Sequence, residues 1–395
     1  MRRILDGVRV LDFSRFLSGP YCSTLLADMG AEVIRVDNPK GEEDRTAGPL
    51  TPSGESIWFL TLARNKKAIT LDPRSEQGRE ILKDLVKRCD IVVENFAPNV
   101  KKLMGMDYET LAAMNRGVIL VSISGFGLSG PYSHRLAFDA VGQAMSGTMS
   151  VGGFPGNPPT KASVSYVDFA SGTHAALGAV LALYDRAKTG VGQVVDIALV
   201  DTAVAITHSF AAEYKTLGLT RPQLGNHAFQ SASDVWRSKD GSWFYIALFT
   251  NRLFRRMMKL MGREELADEP RFQNDQVRYQ NRAVLDPLMA GWVAARTAEQ
   301  LAKELDGADV PYAHVYSIPE MVNDPHIQAR GMLNEVEHPG LGRYPVVGTV
   351  VKLSGTPGAI EHRAPLLGEH NEEIYAGLLG YSRDQLAGLK AAGIV

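Results

Sequence analysis

A chain of 395 residues is too long for one ordinary hydrophobic core, and it predicts two domains or one large domain carrying an insertion. With 45% hydrophobic and 22% charged residues it has a globular composition, which excludes the disordered and fibrous classes. A net charge of −2 gives no electrostatic case for nucleic acid or an anionic membrane, so the basic pairs Lys66-Lys67, Lys101-Lys102 and Arg255-Arg256 read as solvated surface.

The two cysteines, Cys22 and Cys89, have no Cys/His cluster around them at metal-ligand spacing. A disulfide framework and a zinc site are therefore not expected, and a reducing, cytoplasmic compartment is. Met1-Arg2-Arg3 runs straight into a strand pattern instead of a signal core, and no apolar run approaches the ~18 residues of a membrane span.

Strand runs alternate with helical periods through the first two hundred residues, the signature of βαβ units on a parallel sheet. Val8–Phe13 reads as a strand, Ser18-Gly19-Pro20 opens a helix over Tyr21–Met29, and Gly30 ends it before the strand Glu32–Val36. The strand Ala68–Leu71, the helix Ser75–Arg88 and the strand Ile91–Glu94 follow. A helix at Tyr108–Met114, the strand Val118–Ser122 and a helical stretch from Asp139 to Met149 come next. Asp168 begins a helix to about Ala187, followed by the strand Val194–Leu199 and a helix over Asp201–Thr216. Then Val235–Ile246 reads as a hairpin about Asp240-Gly241, with charged helices to Leu305. Past Asp324-Pro325 come short strands such as Val346–Leu353 and a last helix at Glu369–Leu379. Residues 1–221 together with 321–395 are expected to form the large domain, and residues 222–320 a smaller α+β domain.

Asp37, an acid at the end of the second strand, invites a dinucleotide reading. The first turn, Ser14-Arg15-Phe16-Leu17-Ser18-Gly19-Pro20, refuses it, because it lacks the glycines that let a pyrophosphate approach the helix N-terminus. Walker A spacing and a G-x-S-x-G nucleophile elbow are also missing. The stretch Ser124–Pro131 is rich in glycine and reads as a loop between sheet and helix, or as a backbone nest for an anion. His134 and His174 read as hydrogen-bonded loop or helix residues.

Asp168 stands alone in the apolar string Ser165-Tyr166-Val167-Asp168-Phe169-Ala170 where a helix begins. A carboxylate there can be a nucleophile or a helix cap, and from the string alone the cap is the commoner case.

Several segments in order, Gly7–Arg15, Ser18-Gly19-Pro20, Leu26–Val36, Arg64–Asp72, Val93–Pro98, Ser124–Gly127, Phe138–Gly147 and Ala364–His370, resemble the class III CoA-transferases. This is the family of formyl-CoA, carnitine and bile-acid CoA-transferases. The resemblance implies that Asp168 is the catalytic carboxylate, with Asp139 an acidic residue near it that reads equally as a helix cap. It implies CoA contacts at Phe16, Leu17, Ser18, Leu71, Arg74, Asn95, Phe96 and Arg135. CoA enters as a substrate, with no cofactor and no metal. His227 and Arg252 are candidates to bind a distal carboxylate of the acid.

The family also implies an interlocked homodimer whose large Rossmann-like domain is closed by the returning C-terminus. The reaction expected is transfer of CoA from a donor such as succinyl-CoA to a small mono- or dicarboxylic acid through an aspartyl mixed anhydride. Two departures bear on substrate: Leu17 replaces the Gln of formyl-CoA transferases, and Ile246–Arg252 is not a glycine-rich loop. Racemases of the same scaffold carry a His where this chain has Phe138, which disfavours that alternative; transfer between two carboxyls of one substrate stays open.

Overall fold

In the computed structural model, which describes residues 2–395 and leaves Met1 outside, a central strand sets the pattern of the larger unit. Successive side chains of β1 (Arg9–Asp12) alternate, so Leu11 enters one apolar layer and Val10 another. Beside it run β2 (Glu32–Asp37), β3 (Lys66–Thr70), β4 (Ile91–Glu94), β5 (Ile119–Ser124) and β6 (Val194–Ala198), all parallel, in the order β3-β2-β1-β4-β5-β6. The Rossmann-like parallel sheet expected from the alternating pattern is present. Its order reverses between β1 and β4, and in such sheets a crevice opens beyond the strand ends at that point.

Leu11, Ile34, Ile69 and Val92 form one layer with the helix Glu76–Val86 and the C-terminal Tyr375, Leu386 and Val395. Val10, Val33, Val93 and Val121 form the other with the helices Ser18–Asp28 and Tyr166–Thr189. The returning C-terminal segment covers the exposed edge at β3: His370 N donates to Ala68 O, and Asn371 Oδ1 accepts from Thr70 N at 2.9 Å.

Two compact units share the chain, one of residues 1–146, 163–208 and 325–395 and a second of residues 147–162 and 209–324. The stretches 147–162 and 209–221 thus belong to the second unit, unlike the expected division at 221–222. Gly225 N bonded to Gly153 O, and Gln223 Nε2 to Gly152 O, tie the first of these stretches to the chain just beyond the other. The second unit holds an antiparallel sheet of β7 (Asp234–Arg237), β8 (Trp243–Ile246) and β9 (Tyr312–His314) over a core that includes Trp236, Phe244, Phe254 and Trp292. Gly241, at φ 93°, makes the hairpin turn between β7 and β8 as expected.

Several element boundaries move. The 201–216 helix is broken by His208, at φ 55°, into Leu199–Ile206 and Phe210–Leu217, and Gly147 at φ 85° ends the helix Asp139–Met145. The late strand is β11 (Gly342–Val347), paired with β10 (Leu333–His338), and residues 348–353 are not in a strand. The last predicted helix is a π-helical turn at Glu373–Leu378, followed by the helix Arg383–Ala391.

In two of the basic pairs one lysine is buried, while Lys67 is part-exposed and Lys102 exposed. Lys66 is fully buried, with Nζ 3.0 Å from Asp12 and 2.7 Å from Ser23 Oγ, and Lys101 lies 2.7 Å from both Glu94 and Ser122. A buried ammonium needs such partners, and these come from strands and, for Ser23, a helix distant in sequence. Cys22 and Cys89 are buried free thiols. Among the described residues no helix is long and apolar enough to cross a membrane.

Candidate active site

At the ends of β1 and β4 the chain builds a cavity of about 250 Å³. The turn after β1 is held rigidly. Asn95 clamps Arg15 with two bonds, accepting from its N–H at 2.9 Å and donating to its carbonyl at 2.8 Å. Arg15 in turn donates to Phe13 O and Val36 O and pairs with Glu42 at 2.7 Å. Phe16 sits in the left-handed region at φ 66°, and its N–H bonds Asp44, itself paired with Arg35. A bulky residue held there is strained by about 1–3 kcal/mol, and strain of this kind gathers at functional sites. Its ring meets Phe138 edge to face at 6.0 Å.

Phe16, Leu17, Ser18, Asn95, Phe96 and Arg135 line the cavity together with Phe138 and Asp168. Of the residues expected around CoA, Leu71 and Arg74 do not line it. Leu71 is buried in the apolar layer against Ile81 and Leu82. Arg74 lies exposed and pairs with Asp72 at 2.8 Å. Arg135 is exposed, its guanidinium 3.9 Å from the Tyr132 ring. His227 and Arg252 belong to the second unit; His227 is buried with Nδ1 3.0 Å from Ser233 O and its ring stacked on Tyr279, and Arg252 is exposed.

Asp168 is the third residue of the helix Tyr166–Thr189, not its cap. The capping is done from another element. Asp139 Oδ1 accepts from Val167 N at 2.8 Å and from Asp168 N at 3.2 Å, while its other oxygen accepts from Gln143 Nε2. A carboxylate at a helix N-terminus satisfies N–H groups that have no partner within the helix and complements the helix dipole. Asp139 thus caps a helix other than its own, which begins after Phe138. Gln143, one turn along that helix, is the partner that sequence reasoning missed; its only signal was the i,i+4 spacing from Asp139.

Ser18 lies beside the Asp168 carboxyl on the cavity wall, where its hydroxyl favours the ionised form. The contact depends on Gly172, one turn beyond Asp168, where a Cβ would lie 2.6 Å from the Ser18 carbonyl oxygen. Only a glycine lets the two helices come this close. Burial, then the nearby charge of Asp139, push the Asp168 carboxyl up to about 7, while the Ser18 hydroxyl works in the opposite direction. A carboxyl poised near neutrality on a cavity wall is a candidate for a reactive group.

Two other readings fall away. In the glycine-rich stretch Leu128 N already bonds the Asp196 carboxylate at 3.0 Å and Gly127 N bonds Ser124 Oγ, so these amides do not form an anion nest. Asp37 is buried between Arg35 and Arg45, at 2.8 and 2.6 Å, and presents no free carboxylate to a ribose. A larger cavity of about 630 Å³ lies at the opposite, N-terminal ends of β2 and β3, where Lys67 pairs with both Glu32 and Glu373. Its lining carries six glutamates, Glu32, Glu335, Glu337, Glu361, Glu369 and Glu373, against Lys66, Lys67 and Arg363, and it lies at the strand ends away from the switch point.

Residues 5–371 match the sequence profile of CoA-transferase family III. The chain belongs to CoA-transferase family III. It is similar to a succinyl-CoA–D-citramalate CoA-transferase of Chloroflexus aurantiacus, at 42% identity over 100% of this chain and 98% of that one. It is also similar to a formyl-CoA:oxalate CoA-transferase of Streptomyces avermitilis, at 34% identity over the full length of both. Its fold matches the crystal structure of a CAIB/BAIF family protein from Brucella suis with a TM-score of 0.83 at 33% identity, covering 96% of this chain and 100% of that one. The family III resemblance carried by the separate sequence segments therefore holds across nearly the whole chain, and the protein is a CoA-transferase.

Proposed function

We propose that this family III enzyme moves CoA from succinyl-CoA to a small mono- or dicarboxylic acid, with Asp168 as nucleophile. The single observation that carries the proposal is the Asp168 carboxyl, buried beside Ser18 on the wall of the switch-point cavity and pushed up to about 7. Its oxygen attacks the thioester carbonyl, the C–S bond breaks, and CoA leaves as a thiolate while a mixed anhydride keeps the acyl group activated. The thiolate then attacks the aspartyl carbonyl, releasing the donor acid and leaving an aspartyl thioester. The acceptor carboxylate attacks that thioester to give a second anhydride and the thiolate. Attack of the thiolate on the acceptor carbonyl yields the new acyl-CoA and restores the Asp168 carboxylate. Bond for bond the cycle is neutral, and it needs no cofactor or metal. Enclosure of Asp168 protects each anhydride from water.

The succinyl donor is supported by the names of relatives such as the D-citramalate enzyme. Phe138, whose ring is 66% exposed beside Phe16, offers no base for an α-proton and stands against racemisation. Phe16, Leu17 and Ser18 are assigned to the thioester end of CoA, Asn95 and Phe96 to its pantetheine, nucleotide or phosphates, and Arg135 to its anionic part. A homodimer is part of the proposal, supported by the exposed apolar stripe Leu177, Val180, Leu181 and Tyr184 along one helix face.

The test is mass spectrometry after mixing the enzyme with succinyl-CoA and hydroxylamine. A hydroxamate on Asp168, absent in Asp168→Ala, is expected, with turnover in that variant reduced on the order of 10³-fold or more. An unmodified Asp168 in an enzyme that still turns over would sink the anhydride route.

A further inference from the structure

A thioester placed at Asp168 has two arms, one leading to CoA and one to the carbon chain of the acid. A second cavity of about 450 Å³ adjoins the switch-point cavity in the same unit, and Leu17 lines both. Phe169, the neighbour of Asp168, faces this second space, and its ring packs edge to face on Tyr21 at 5.0 Å. The remaining walls are chiefly apolar, with Leu25 and Leu62 on one side and Trp58 and Val350 toward solvent. Arg64 is the one basic side chain in the lining. Its Nη2 is engaged by Asp28 at 2.7 Å and its Nη1 by Thr61 O at 2.7 Å, which leaves the buried Nε–H without a hydrogen-bond partner.

We infer that this second cavity seats the carbon chain of the acid, with Leu17 at the junction and Arg64 at the far wall. The class it fits is an acyl group of about four to six carbons, apolar along its length, with a single oxygen acceptor at its far end for the Arg64 Nε–H. A bidentate carboxylate clamp is ruled out because Asp28 already neutralises the guanidinium and holds its outer nitrogen. Apolar walls favour each further methylene that is buried against them. The inference rests on the proposed transfer at Asp168, since it is the position of the thioester carbonyl that gives the cavity its role.

The experiment is calorimetric titration of Asp168→Ala, which cannot turn over, with CoA, acetyl-CoA, pentanoyl-CoA and glutaryl-CoA, alone and combined with Val350→Phe or Arg64→Lys. Val350 is exposed, so its replacement narrows the cavity without disturbing the core. Expected is glutaryl-CoA binding about tenfold or more tighter than acetyl-CoA, a gain removed by Val350→Phe while CoA itself binds as before. Arg64→Lys, which lacks an Nε–H in that place, is expected to bring glutaryl-CoA down to the level of pentanoyl-CoA. Equal binding of all the thioesters, or a chain-length gain that survives Val350→Phe, would overturn the acyl cavity and leave the transferase reading standing. Failure of CoA and all its esters to bind would overturn both.

Discussion

In the proposed reaction the carboxyl of Asp168 attacks only when ionised, and two neighbours pull on its proton in opposite directions. Burial and Asp139 raise its pKa to about 7, and Ser18 lowers it. The sign is that of a group charged above its pKa: transfer should be slow in acid and rise about tenfold per pH unit until it levels off near pH 7. Asp139→Asn removes the like charge but keeps an oxygen to accept from Val167 N and Asp168 N. In this variant the rising limb of kcat/KM against pH should move to lower pH. Ser18→Ala removes the hydroxyl that favours the carboxylate, so its limb should move to higher pH. Profiles that stay fixed in both variants would show that Asp168 is not the group being titrated.

At the scale of elements, the site exists because two helices cross with almost no space between them. Ser18 opens one helix, Asp168 lies in the first turn of the other, and Gly172 is where they touch. Gly172→Ala should therefore separate the pair. Overpacking against backbone costs about 1–3 kcal/mol, readable as a lower unfolding free energy in urea. Activity should fall further than stability, because Ser18 leaves the Asp168 carboxyl when the crossing opens. Wild-type activity in that variant would disprove the close approach. The same scale explains where sequence reading erred. A cap was looked for beside its own helix, whereas Asp139 caps the helix Tyr166–Thr189 from 28 residues away. Lysines 66 and 101 looked solvated because their carboxylate partners lie on β1 and β4, and only strand order brings these partners under them.

For the whole molecule, the stripe on the helix Tyr166–Thr189 repeats at i, i+3, i+4 and i+7, from Leu177 to Tyr184, and remains exposed in a single chain. In the proposed homodimer a second copy covers this face. Light scattering should report twice the chain mass for the wild type. Leu181→Asp, which places a charge in the middle of the stripe, should shift the population toward single chains. A wild type that scatters as a monomer at tens of micromolar would remove the homodimer.

Much of this was legible without coordinates. Alternating strand and helix periods determined the parallel sheet, because period 2 and period 3.6 each allow one way of burying an apolar face. Asp240-Gly241 determined a hairpin through the positive φ that glycine accepts. Ordered segments along the chain determined the family, and with it the expectation that Asp168 reacts. Tertiary structure decided the rest: which expected residues meet at one cavity, that Leu71 is buried in an apolar layer, and what sets the acidity of Asp168. Those are properties of distances between segments far apart in sequence, and burial and Coulomb interaction depend on distances that no local pattern records.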